Sequence, residues 1–446
     1  MALNSVWNGE KPGHRNQYEI LAESILDGQI NLDYNDMDPK LLELDNPYDP
    51  SLREGVSYHW DHAFYNGKYY MYFGVVPVFL LFLPFRIITG TSLITYLAIQ
   101  IFTSLFIFGI FSLFLLIGRK FFKNLSLSVY LSLSVAVSLM SVWYLVGTPS
   151  LYCTAIAAGI ALEIWSLFFL AQAVWNTNNR EKTIYRVNLG SLLGALTFGC
   201  RPTIGLANLI AIPFFLEYLK KKPLEGKLGK KILAIFIPYI IIASLLMIYN
   251  YVRFENPFEF GQSYQLTVAD QTPYGNLLTR FNGIALINGM AKNFIKFVPL
   301  KNAFPYISYQ SILLNFPIVF IAIMCSIQKD TLLILKRDKL IILSIVLWIS
   351  YLLITIFQVL NTPYLLERYR SDIYWIIGIF LFISFGSFLK TLNGRSKKIW
   401  EFLISILALV TIFQSFLLWL IPSDSSFTAV FPETLHTFEE ILRLGF

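Results

Sequence analysis

The side chains with the types and spacing for chemistry fall in a few short stretches. In His59-Trp60-Asp61-His62 a carboxylate stands just ahead of an apolar run, where it could face a cavity at a membrane surface and take a proton. A solvated loop acid, or a partner for Lys68, is the plainer alternative. Glu19 and Glu23, four apart, share one helix face, either as bases or as solvated groups. Arg201 lies in Cys200-Arg201-Pro202 with apolar sequence on both sides. A cation in that setting is expensive and usually functional; an interfacial arginine, or one paired with Glu163, is the structural alternative. Glu367, Arg368 and Arg370 crowd a short loop with Tyr364 and Tyr369 interleaved. Guanidinium groups grip phosphate in bidentate fashion, although an internal Glu-Arg pair would serve as well. Arg253, in a Tyr-Val-Arg-Phe turn, is a further cation of this kind. Tyr65, Tyr69, Tyr70 and Tyr72 cluster in a way that suits sugar stacking and an interfacial aromatic belt equally.

His59, Asp61 and His62 also have ligand types for Zn²⁺ or Mn²⁺, yet such close neighbours alone make a poor cage. Asp33, Asp36 and Asp38 begin like a calcium loop, but the sixth place lacks glycine and Leu44 stands where the bidentate Glu belongs. No cofactor is expected beyond a divalent metal at His59 and His62. Cys153, Cys200 and Cys325 sit far apart in apolar surroundings, which speaks against a disulfide or a cysteine metal site.

The elements that must position these groups are membrane helices. Of the 446 residues, 56% are hydrophobic and only 14% charged, too apolar for a soluble protein. The net charge of +7 does not imply nucleic acid, because Lys and Arg gather in short loops between apolar runs. Residues 1–74 carry twelve acids against five Lys and Arg. Within them the spacing predicts a short amphipathic helix from Asn16 to Leu26, and NPYDPSLR (46–53) is turn chemistry. Val75 to Ile88, punctuated by Pro77 and Pro84, is too short to cross a bilayer and fits a helix at the membrane face.

Spans are then expected at Ser92–Ile117, Leu125–Leu145 and Tyr152–Trp175. Two short helices within 187–219 would meet at Arg201, and further spans follow at Ile232–Tyr251, Ser311–Gln328, Leu340–Leu360, Ile373–Leu389 and Trp400–Ile421. Loops at 119–124, 177–186, 219–231, 329–339 and 390–398 hold 20 of the 35 Lys and Arg, and alternation of the spans puts all of them on one side. That side is expected to be cytoplasmic. The fold class is an all-α polytopic membrane protein with about ten transmembrane helices. Its parts are an extracytoplasmic loop domain with an interfacial helix (1–90), a first bundle (91–251), a second outer loop (252–310), a second bundle (311–421) and an outer tail (422–446). Residues 1–16 have no apolar run to carry the N-terminal segment across, so a further helix is expected before residue 1, making eleven.

NQYEILAESILDGQINLDY, NPYDPSLR, FYNGKYYMYFGVVPVFLLFLPFRIITG, CRPT at 200–203, YNYVRFENPFEFGQSYQL at 249–266 and ERYRSD at 367–372 carry a resemblance in this order. Together with the topology they resemble the GT-C superfamily of polyprenyl-phosphate-sugar glycosyltransferases, in the branch of protein mannosyltransferases and lipid A aminoarabinose transferases. The resemblance implies a bacterial cytoplasmic-membrane enzyme with its N-terminal loop outside. It would transfer a sugar, with inversion, from a polyprenyl-phosphate donor to a glycan, lipid or protein acceptor. A carboxylate of the first outer loop would deprotonate the acceptor, and arginines would hold the donor phosphate. Such enzymes often carry an acidic pair just before a Tyr of that loop. Here His14, Arg15, Asn16 and Gln17 precede Tyr18, leaving Asp61, Glu19 and Glu23 as the candidate bases. Rival readings are a transporter or flippase of lipid-linked sugars and an O-antigen polymerase or ligase. Paired repeats and helix breaks in both halves would favour the transporter.

Overall fold

The computed structural model describes residues 16–34, 36–176, 180–220, 228–272, 282–361, 366–423 and 426–443. Among them, seven helices are long and apolar enough to cross a membrane: Thr95–Phe121, Leu127–Gly147, Leu151–Trp175, Pro202–Lys220, Leu228–Phe254, Leu340–Leu360 and Gly394–Leu420. An eighth is reached if Pro317–Ser326 and Lys329–Arg337, bent by 78° at their junction, count as one span. The chain is therefore a helical, multi-pass membrane protein.

Two expected spans take other forms. The apolar stretch from 311 is split into Ile312–Asn315 and Pro317–Ser326, because Pro317 lacks the N–H that would continue the first turn. Tyr374–Leu389 is only 16 residues long, and every one of them is buried. A helix apolar on all sides belongs at the centre of a bundle, and this one packs against Pro317–Ser326, Leu340–Asn361 and Leu127–Gly147. The stretch 187–219 is broken where expected: Arg180–Phe198 ends at Gly199-Cys200, and Pro202 opens the next helix at a position where its missing N–H costs nothing.

A second core, separate from the bundle core, is built by the acidic N-terminal segment. Its helix runs from Gln17 to Leu26 and is capped by Asn16, whose side chain accepts from the Tyr18 and Glu19 N–H groups. Glu23 clamps it to the apolar helix Val78–Thr89 through Arg86 at 3.1 Å and the Ser92 hydroxyl at 3.0 Å. The tyrosine-rich stretch is a β-hairpin, with Ala63–Tyr65 (β1) pairing with Lys68–Tyr70 (β2). Asn66 and Gly67 both have positive φ at the turn, as a two-residue hairpin of matching twist requires.

Chain from far along the sequence completes this unit. Ala63 pairs with Gln265, and backbone hydrogen bonds of 2.9 Å run from Phe64 N to Tyr264 O and from Leu266 N to His62 O. The loop after Leu228–Phe254 thus adds an edge to the hairpin.

Phe73 to Val76 joins this unit to the bundle. Val76 N donates to Gly199 O at 3.0 Å, and a Cβ at Gly74 would fall 2.0 Å from the Cys200 carbonyl oxygen. Only glycine permits that backbone approach. Gly74→Ala is expected to destabilise the protein by about 1–3 kcal/mol or more, since rigid backbone has to shift. Thermal unfolding in detergent checks this, with Gly55→Ala as a purely conformational reference, since a Cβ there meets nothing within 4 Å and its cost is the positive-φ strain that Gly74 does not carry.

Candidate active site at the junction of the hairpin unit and the bundle

Asp61 stands at φ 55°, a conformation that Asp tolerates better than most residues and that structures sustain where surrounding bonds enforce it. Here Asp61 N donates to Leu266 O at 2.9 Å, and Gln17 Nε2 donates to Asp61 O at 2.8 Å. The side chain is thereby turned into the junction, where it is buried. Its Oδ1 accepts from Gln265 Nε2 at 2.9 Å and its Oδ2 from the Tyr152 hydroxyl. A carboxylate has lone pairs for about four hydrogen bonds, so two donors leave room for a substrate hydroxyl.

Tyr152 connects this acid to the cations. The Arg368 guanidinium lies 4.6 Å from the centroid of the Tyr152 ring and 5.2 Å from that of Tyr369. On Tyr369, at 4.6 Å, also lies Arg201. Arg201 Nε donates to Asp372 Oδ2 at 2.9 Å, and Gln358 Nε2 donates to the same oxygen at 2.7 Å. Asp372 is fully buried; burial raises its carboxyl pKa, and the Arg201 guanidinium works in the opposite direction. Among the described residues, no carboxylate lies within ion-pair distance of Arg368, so its charge is the one in this row without a fixed counter-ion. Tyr72 borders the same ground. Burial, and next the Asp61 charge, hold its hydroxyl well above the usual range, which keeps it a neutral donor.

Asp61, Arg201 and Arg368 are thus brought into one continuous row of contacts, from the hairpin unit, the helix break and the 367–372 loop. The other candidates lie elsewhere. Arg370, 2% exposed, pairs with Glu367 at 2.6 Å and donates to the Gln310 carbonyl. Arg253 donates to Met71 O at 2.6 Å and Asn250 Oδ1 at 2.7 Å, pinning the chain that leaves the hairpin. Glu19, buried at the start of its helix, accepts from Asn16 Nδ2 at 3.0 Å, and Glu23 serves the clamp described above. Tyr69 is buried edge-on against His59, His62 and Tyr34, not displayed for stacking. His14, Arg15 and Tyr364 lie outside the described residues.

His59 bonds Asp36 at 2.9 Å and stacks on Tyr34. His62 Nδ1 lies 2.7 Å from Trp60 O, and since a carbonyl only accepts, the proton is assigned to Nδ1. Nε2 then accepts from the Tyr34 hydroxyl, at 2.7 Å. Both ring nitrogens are therefore engaged. Among the described residues, no group of three or more His, Cys, Asp or Glu is arranged to hold a metal ion.

Tyr152, Gln265, Gln17 and Asp372 were not singled out by their sequence context. Asp372 carried a readable signal, an acid directly before an apolar run, under the rule that marked Arg201. Tyr152 and the two glutamines carried none, since uncharged polar residues near helix ends are ordinary.

Compared with family models, with curated proteins and with solved structures, the chain matches none.

Burial pushes the His62 pKa down to about 4 from an ordinary value of about 6.5. Between these values the unfolded chain binds a proton that the folded one does not. Stability attached to this group is full above about pH 6.5 and is lost as pH falls towards 4. Unfolding temperatures in detergent are expected to fall over that window, and His62→Asn is expected to flatten the fall. An unchanged slope in the variant would assign the effect to other groups.

Proposed function

We propose that this protein is a membrane glycosyltransferase that moves a sugar from a polyprenyl-phosphate donor to an acceptor hydroxyl at the outer face of the bacterial cytoplasmic membrane. The observation that carries the reading is one carboxylate, Asp61, linked through Tyr152 to Arg368, which has no carboxylate at ion-pair distance among the described residues, and on to Arg201. A base beside an anion-binding pair is what transfer from a sugar phosphate requires.

In this mechanism the acceptor oxygen bonds to the anomeric carbon on the face opposite the phosphate, giving inversion. The hydroxyl proton passes to Asp61, while the anomeric C–O bond to phosphate breaks. The polyprenyl phosphate departs with its negative charge against Arg368 and Arg201. Tyr152 and Gln265 orient Asp61, and Asp372 with Gln358 orients Arg201. In the same reading about ten helices cross the membrane, the hairpin unit faces outwards, and the lysine-rich loops face the cytoplasm.

Transport of the same lipid-linked sugar is the second reading, favoured by one observation: the chain is broken both before Pro202 and, with a bend of 78°, before Lys329. Breaks in both halves suit a transporter. Against it, Lys329–Arg337 carries charge at both ends and suits a surface helix as readily as half a span.

Two variants of the full chain separate these readings. Arg368→Gln removes a charge-assisted contact of about 1.5–3 kcal/mol and is expected to weaken binding of polyprenyl phosphate, the leaving group common to such donors, by roughly 10- to 100-fold. Asp61→Asn is expected to leave that binding unchanged while lowering transfer from a polyprenyl-phosphate sugar by roughly 10²- to 10⁴-fold. Full transfer by Asp61→Asn removes Asp61 as the base. Movement of the lipid-linked sugar across sealed vesicles, untouched by Asp61→Asn and without transfer, decides for the transporter.

A further inference from the structure

Thr95–Phe121, which begins at the hairpin unit, is 27 residues long, so its far end is about 40 Å away. At that end lies an open cavity of about 260 Å³ between the ends of Thr95–Phe121, Tyr374–Leu389 and Gly394–Leu420. Lys120, Lys123, Lys390 and Lys397 line it, over a floor that includes Phe122 and Leu389.

Scattered lysines at helix ends are ordinary in membrane proteins. Four that share one concave site with an apolar floor are a different matter, because like charges held together need counter-charge. Lys390 pairs with Asp338, and Lys397 donates to Asn124 O at 2.7 Å with Glu401 at 3.9 Å. Lys120 donates to the Trp175 carbonyl at 3.5 Å. Among the described residues, no carboxylate is within ion-pair distance of Lys120 or Lys123. Two cations without a carboxylate partner among the described residues, two partly neutralised ones and the apolar Phe122 and Leu389 make a site for an anion that carries some hydrocarbon.

We infer that this cavity binds a phosphate ester, with Lys120 and Lys123 as the principal cations and Phe122 and Leu389 against its carbon part. Lysine suits phosphate as a point charge, and basic pockets between helix ends are typical places for anionic headgroups. This site is independent of the proposed transfer and lies at the other end of the bundle. Its ligand is either an anionic phospholipid of the adjacent leaflet or a soluble phosphate.

The test uses the full chain and the double variant Lys120→Gln/Lys123→Gln, whose side chains are exposed, so that folding is retained. Retention of phosphatidylglycerol is measured by native mass spectrometry against phosphatidylcholine, and the unfolding temperature is followed in delipidated micelles on adding inorganic phosphate. With each basic residue contributing about 1 kcal/mol, selective retention of phosphatidylglycerol that weakens at least about tenfold in the double variant supports the site with lipid as its source. Stabilisation by inorganic phosphate that the double variant loses supports it with a soluble source. No preference for phosphatidylglycerol together with no response to phosphate, or responses equal in the two proteins, overturns the proposal.

Discussion

Charge removed from water needs a partner, and at the junction of the hairpin unit and the bundle each buried charge finds its partner on a different part of the chain. Asp61 is held by Tyr152 and Gln265, and Arg201 by Asp372. An ionised carboxylate or guanidinium left alone there would cost several kcal/mol. The segments at 61, 152, 201, 265 and 372 are therefore bound to one place by the groups they carry. The Tyr152 hydroxyl on Asp61 is the bond among these that crosses from the bundle to the hairpin unit.

Shape makes that meeting feasible. Gly74 lets the chain leaving the hairpin touch the break at Gly199-Cys200, so the backbone that places Arg201 is the backbone that receives the hairpin unit. On the far side of the hairpin, the edge pairing with residues 264–266 fixes Asp61 in its left-handed conformation. Both contacts are made by main chain, which is why the geometry does not depend on long flexible side chains. Outside the row, Arg253 and Arg370 do supporting work. Each satisfies backbone carbonyls of a neighbouring segment.

Within the row, neutralisation is uneven. Arg201 is balanced by Asp372, whereas Arg368 rests on aromatic rings that attract a cation without cancelling it. A cation stacked in this way keeps its guanidinium edge available to an anion. At the opposite end of the same bundle the lysine cavity repeats the pattern, with paired Lys390 and Lys397 beside Lys120 and Lys123. The polarity of the chain is thus organised at its two ends, with apolar helices between them.

Sequence by itself determined the class of the protein and much of its frame. Composition and long apolar runs fixed a multi-pass helical protein, because a segment of that length and hydropathy has no other stable solvent. The break at Cys200-Arg201-Pro202, the helix after Asn16 and the short apolar helix after Pro77 were legible from local rules of proline, capping and length. The hairpin had its signal in Asn66-Gly67, a turn pair set among aromatic residues. What only the tertiary structure decided is which polar groups meet. Glu19, Glu23 and Asp61 are alike as letters, and so are Arg201, Arg253, Arg368 and Arg370. Their difference lies in partners supplied from distant parts of the chain, 204 residues away for Asp61 with Gln265. Local propensity is written in neighbouring residues, whereas the pairing of buried charge depends on which segments share a surface after folding.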